Sequence, residues 1–149
     1  MEHKRKAELI ETLLPKDTNG YGNIFGGVIM SIMDKTAGVA CWRYSQRRVV
    51  TACAQRICFH TPINMGEVVY SRATIIHVGR SSMEVEVEVE VENVIEGTKR
   101  RGASGQFTMV AVDENWHPTT VPPWQPVTEA ELEKWRQVEK QRKAERHEG

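Results

Sequence analysis

Residues 82–94 read SMEVEVEVEVENV, and no other stretch limits the fold as tightly. Met83, Val85, Val87, Val89 and Val91 alternate with Glu84, Glu86, Glu88, Glu90 and Glu92. A strand sends successive side chains to opposite faces, whereas a helix would scatter this pattern around its circumference. The segment is therefore a strand with one apolar face and one acidic face, and it needs a sheet around it. Glutamates in a row seek opposite charge on neighbouring strands, which Arg72, Lys99 and Arg101 are placed to supply. The acidic face is otherwise expected to be solvated.

The other segments fall into place around that strand. AELIETLL (7–14) reads as a first strand, with a helical turn as the alternative. PKDTNGYGN (15–23) is a loop, marked by Pro15, Asn19-Gly20 and Gly22. From about Gly26 to Tyr44 the pattern is helical and apolar on nearly every side, so other elements should surround it. Strands are expected at 49–63, 67–78 and 98–114, joined by the short turns NMG, GR and EG, with Gly102 and Gly105 as bulge or bend points. After the Pro-rich stretch 115–126 a polar helix opens at Thr128. Thr128 and Glu131 form a capping box, and Leu132, Trp135 and Val138 are its apolar stripe. The expected organisation is a single α+β domain over 1–126, with antiparallel strands wrapped around one central helix, and a peripheral helical extension over 127–149. A single sheet layer leaves edges open, and pairing of an edge strand with a second copy would cover them.

Composition excludes several functions. Twenty basic and twenty acidic residues balance, which removes any global pull toward nucleic acid or an anionic membrane. No apolar run approaches the roughly 18 residues of a membrane span. His3, His60, His77, His117 and His147 show no metal-ligand spacing, so no metal site is expected. Cys53 and Cys58 are five apart, which on a regular strand points them to opposite faces. Together with Cys41 they read as reduced thiols of a cytoplasmic protein.

Asp34 stands in the middle of the apolar helix NIFGGVIMSIMDKTAG (23–38). A bare carboxylate there is costly unless it is paired, bonded to backbone amides or in use. Its helical neighbours are Gly27, Met30, Ser31, Ala37, Gly38 and Cys41, and all but Met30 are small and leave space beside it. Gly26 and Gly27 open the helix, where unpaired N–H groups carry partial positive charge and can hold a carbonyl oxygen as it gains negative charge. Asn19 alone reads as a turn residue. In GRSS (79–82), Gly79 makes the turn, Arg80 can grip a phosphate at two points, and Ser81 and Ser82 add hydroxyls; a solvated turn is the alternative.

LPKDTNGYGNIFGGVIMSIMDKTAG, VVTACAQRICFHTPINMGEVV, VGRSSMEVEVEV and FTMVAVDENWHPTTVP together resemble the hot-dog-fold acyl-CoA thioesterases, in the cytosolic acyl-CoA hydrolase branch. The likeness runs in order over roughly residues 9 to 122 and leaves out the C-terminal helix. It implies a curved antiparallel sheet around the long helix, a dimer whose sheets join, and a trimer of dimers. It implies that Asp34 is a general base on water or a nucleophile. Asn19 would help place water or substrate, usually from the opposite protomer, with Asn23 a lesser candidate. Gly26 and Gly27 would bind the thioester oxygen. Where some relatives carry His before the glycine pair, this chain has Phe25. Gly79, Arg80, Ser81 and Ser82 would lie near the pantetheine and phosphates, and Thr51 would line the acyl slot. The expected reaction is acyl-CoA plus water to fatty acid plus CoA, with no cofactor beyond the CoA of the substrate. A hydratase on the same scaffold and a non-catalytic acyl-CoA sensor are the alternatives.

Overall fold

A computed structural model describes residues 4–148, with side chains through 146; His3 and the side chain of His147 lie outside them. Five strands form one antiparallel sheet: β1 (Lys6–Thr12), β2 (Arg48–Phe59), β3 (Val68–Val78), β4 (Ser82–Asn93) and β5 (Thr98–Val112). Helix α1 (Gly26–Ser45) follows β1 after a 3₁₀ turn at Pro15–Asp17, and helix α2 (Glu129–Glu148) ends the chain. The order in the sheet is β1-β3-β4-β5-β2, so the alternating strand β4 is central and β1 and β2 are the edges. Four strand spacings would put the edges of a flat sheet about 19 Å apart. Yet α1, only about 10–12 Å across, touches all five strands. The sheet is therefore curled around α1, as the sequence led one to expect.

The core forms where the apolar faces meet. Val85, Val87, Val89 and Val91 are fully buried against Ile29, Ile32, Met33, Ala37, Ala40 and Tyr44 of α1. The surrounding of α1 is less complete than its composition suggests. Gly27, Met30, Ser31, Lys35, Trp42 and Arg43 remain exposed, because the sheet wraps one side of the helix and leaves the other open.

The acidic face of β4 departs from the expected solvated surface. Arg72 pairs with Glu90 and Arg101 with Glu88, as charge alternation requires, while Lys99 lies over the Tyr70 ring. Glu84 is buried, and it accepts bonds from Gln106 and Thr108. The cover comes from α2, which packs on the outer face of the sheet. Lys134 of α2 pairs with Glu86, and Arg142 with Glu84. The capping box forms as expected, with Glu131 N bonded to Thr128 Oγ1 at 3.1 Å and Thr128 N to Glu131 Oε1 at 3.0 Å. Val138 is buried, and Trp135 stacks on His77 at 4.0 Å.

Bulges explain most of what simple alternation misses. Between Ile75 and His77 the β3 register slips, so Ile76 and His77 both turn toward α2. Gly102 is the extra residue of β5 opposite Val89 and Glu90; a Cβ there would lie 2.5 Å from Val91 Cγ2. In β2 an irregularity at Arg56–Ile57 faces Gly105, where a Cβ would lie 2.4 Å from Ile57 Cδ1. That same slip corrects the cysteine expectation. Cys53 pairs with Thr108 and Cys58 with Ser104, which share the outer face, so the two thiols point the same way. Four residues of β5 separate their partners, roughly 13 Å, too far for a disulfide. All three cysteines are free, and burial pushes the Cys41 thiol up.

Candidate active site

Asp34 sits where α1 faces edge strand β2. Residues Val49 and Thr51 of β2 pair with Ala111 and Met109, which places both on the inner face. Thr51 Oγ1 donates to Asp34 Oδ1 at 2.6 Å. Among the described residues Asp34 has no ion-pair partner and no backbone amide bonded to its carboxylate. It is half-buried rather than enclosed, because β2 is an edge strand and no other described strand covers its far side. The hydroxyl occupies one carboxylate oxygen and leaves Oδ2 for another donor.

An apolar groove of about 680 Å³ lies nearby, lined by neighbours of Asp34 and Thr51 rather than by those two residues themselves. Gly38, Val39 and Trp42 form one wall, Val49 and Trp116 the other, with Leu9 of β1 at the edge and Glu11, Lys35 and Arg48 on the rim. Two independent steps connect it to Asp34. Gly38 is one helical turn beyond Asp34, and Val49 is two strand residues before Thr51, on the same face. Because Gly38 has no side chain, the groove passes over the helix backbone; a Cβ there would meet only Met109 Cε, at 3.8 Å.

At the start of α1 no side chain caps the helix, which leaves its first amides open. The two glycines look into different clefts. Gly26 shares a cleft of about 400 Å³ with Asn19, Asn23, Ile29, Phe59 and His60, while Gly27 lines another with Thr12, Leu14, Lys16 and Ser31. Asn19 Oδ1 accepts from the N–H groups of Tyr21 at 2.8 Å and Asn23 at 3.2 Å. The asparagine thus shapes the loop, as its place in NG suggests, and its amide nitrogen stays available.

Seven residues separate Gly27 from Asp34, about 10 Å of helix rise. Lying on one face does not bring them together: the first-turn amides and the carboxylate of one helix cannot touch the same carbonyl group. A carbonyl held near Gly27 is therefore out of reach of Asp34 of the same chain.

The Gly79–Ser82 turn is closed by Gly79 N–H donating to Ser82 O at 2.8 Å. Arg80 is exposed, and Ser82 Oγ accepts from Arg142 of α2 at 2.6 Å. This loop does not contact Asp34 within one chain. Ser82 opens β4, two strands across from Thr51 through Met83 and Met109, roughly 10 Å away. Sequence reasoning did not find Arg142, Trp42 or Trp116. No local pattern marks them in the sequence, and the exposure of Trp42 and Trp116 is seen only in the folded chain.

Residues 21–98 match the model of the thioesterase superfamily. The chain is 41% identical over 112 residues to an uncharacterized acyl-CoA thioester hydrolase of Zymomonas mobilis, covering 74% of each protein. It is 33% identical over 132 residues to the cytosolic acyl coenzyme A thioester hydrolase of Rattus norvegicus, covering 87% of this chain and 35% of that one. An apo-hexameric acyl-CoA thioesterase superposes with a TM-score of 0.89 at 30% identity, over 97% of this chain and 93% of that chain. The acyl-CoA hydrolase of Staphylococcus aureus, solved with butyryl coenzyme A and coenzyme A, gives a TM-score of 0.85 at 30% identity, over 97% and 90%. Further structures of the Staphylococcus enzyme carry Asn, Asp and Thr replaced singly by Ala, at positions 15 and 17 residues apart. Asn19, Asp34 and Thr51 have the same two spacings. By its family match, its sequence relatives and its curled sheet around α1, the chain belongs to the hot-dog-fold thioesterase superfamily, within the acyl-CoA thioester hydrolases.

Proposed function

We propose that this protein hydrolyses acyl-CoA thioesters at a site built by two copies of the chain. The observation that carries the reading is Asp34 itself: a half-buried carboxylate with one oxygen held by Thr51 and an apolar groove beginning one helical turn away. Asp34 Oδ2 accepts a proton from water as the water oxygen attacks the thioester carbon. The carbonyl oxygen gains negative charge and is held by the open amide of Gly26, in the cleft it shares with Asn19 and Asn23, with the Gly27 amide next to it at the helix start. When the carbonyl re-forms, the C–S bond breaks, and the departing CoA sulfur takes a proton back from Asp34. Water, a carboxylate and amides suffice for these steps, without metal or organic cofactor.

The helix geometry supports a two-chain site. Since the amides and the carboxylate of one α1 are about 10 Å apart along its axis, one copy supplies Asp34 and Thr51. Its partner supplies Asn19, Asn23 and the glycine pair. The open β2 edge supports the same arrangement, because β2 exposes Val50 and Phe59 and among the described residues has no strand on its outer side, so that a second copy can join there. A trimer of such dimers is the larger assembly we favour. Gly79, Arg80, Ser81 and Ser82 bind the phosphate end of CoA, and the free thiols fit a reducing cytoplasmic setting.

The acyl chain lies in the groove. From Asp34 to Trp42 is eight residues, about 12 Å of helix. An extended chain advances about 1.2 Å per bond, so roughly ten carbons reach the tryptophan. The test is release of free thiol from CoA esters of graded acyl length. The expected result is a preference near that length and a drop of about a thousandfold in kcat for Asp34→Asn, with ligand binding kept. Tight binding without thiol release would make the protein a sensor, and hydration of an enoyl-CoA would make it a hydratase; either outcome overturns the proposal.

A further inference from the structure

The C-terminal helix grips one hairpin of the sheet. His77 Nε2 lies 2.5 Å from Glu139 Oε1, and one turn later Arg142 Nη2 donates to Ser82 Oγ at 2.6 Å and lies 3.7 Å from Glu84 Oε1. His77 is two residues before the Gly79–Ser82 loop, and Ser82 and Glu84 begin the next strand. So α2 holds both strands beside the loop tip. The guanidinium also packs on Gly79, where a Cβ would lie 3.1 Å from Arg142 Nη1 and 2.8 Å from Ser82 Oγ. Only glycine leaves room for this contact.

The bond direction has a chemical consequence. A serine hydroxyl that accepts from a guanidinium keeps its own proton for a different acceptor. Arg142 therefore turns Ser82 into an oriented donor, two residues along the loop from the exposed Arg80. Glu84 fixes Arg142 in turn and is itself held by Gln106 and Thr108. Without Arg142 the Ser82 hydroxyl is free to rotate, and Glu84 is left buried beside it.

We propose that Arg142 is a positioning residue that orients Ser82 and the Gly79–Ser82 loop to receive a phosphate of the CoA moiety. This rests on the assignment of that loop to CoA. The C-terminal helix thereby sets affinity for the carrier and has no part in the bond-breaking step.

Steady-state kinetics on two substrates with the same acyl group decide it: the CoA ester, and the N-acetylcysteamine thioester, which has no phosphate. Loss of a charge-assisted bond predicts a rise of about tenfold in KM for the CoA ester in Arg142→Ala, with kcat within about twofold. The N-acetylcysteamine ester should show no change, and Arg142→Lys should recover most of the loss. Ser82→Ala combined with Arg142→Ala should add little to either alone. If Arg142→Ala lowers kcat equally on both substrates, or moves only the melting temperature, the positioning role is wrong. Arg80→Ala separates the two levels. A raised KM in Arg80→Ala with none in Arg142→Ala overturns only the role of Arg142. Unchanged KM in both overturns the assignment of the loop to CoA.

Discussion

Helices α1 and α2 are both 20 residues long, and the sheet lies between them. The first is held by apolar packing: Ile29, Met33, Ala37 and Tyr44 are buried, and it touches every strand. The second is held at points: Glu131 on Arg5, Lys134 on Glu86, Glu139 on His77, Arg142 on Ser82, with Trp135 and Val138 as its apolar anchors. Burial of apolar area is non-directional and large, so α1 organises the fold. Polar contacts are directional and contribute little each, so α2 adjusts what it touches without holding the domain together.

Substitutions on the two helices should separate these roles. Met33→Ala removes a fully buried side chain and should cost about 3 kcal/mol, read from the urea midpoint. A cost below about 1 kcal/mol would end the claim that α1 packing organises the domain. A Cβ at Gly38 would meet only Met109 Cε, at ordinary contact distance, so Gly38→Leu, with its fold checked by melting temperature, should fill the groove. Turnover of ten-carbon esters should drop about a hundredfold while that of two- to four-carbon esters stays. Equal loss on both would place the acyl chain elsewhere.

The α2 side should respond to pH. Burial holds the His77 imidazole below its usual range, although the bond to Glu139 pulls the other way. The unfolded chain then takes up a proton before the folded one does. Stability should be complete above the unfolded value of about 6.5 and decline as pH falls from there through the folded value. In His77→Gln that slope should flatten, as melting temperatures across pH 5 to 8 would show. The smallest effect belongs to the exposed side of α2. Lys140→Ala should shift stability by no more than about 0.5 kcal/mol, and a larger change would mean that α2 is held more evenly than its contacts indicate.

Much of the site was legible because its parts are local. Asp34 was conspicuous as a charge in an apolar helix, the glycine pair as a helix start, and GRSS as a turn. What joins them was not legible. Thr51 meets Asp34 because β2 pairs with β5 in a register that sets Thr51 opposite the inward-facing Met109. Trp42 and Trp116 are 74 residues apart and share a groove only through the curl of the sheet. Arg142 lies 60 residues from Ser82, in a helix that its own composition marks only as polar.

By itself the sequence determined the elements. The alternation in β4, the apolar run of α1 and the Thr128–Glu131 cap are statements about neighbours along the chain, and neighbours along the chain set backbone periodicity. Tertiary structure alone decided which face each residue finally shows and what covers it. A single bulge turns Ile76 and His77 to the same side, and the resulting contacts let α2 cover acidic residues that alternation alone would leave in water. Register and coverage depend on residues far apart in sequence, whose attraction is felt only once the sheet has closed around the helix.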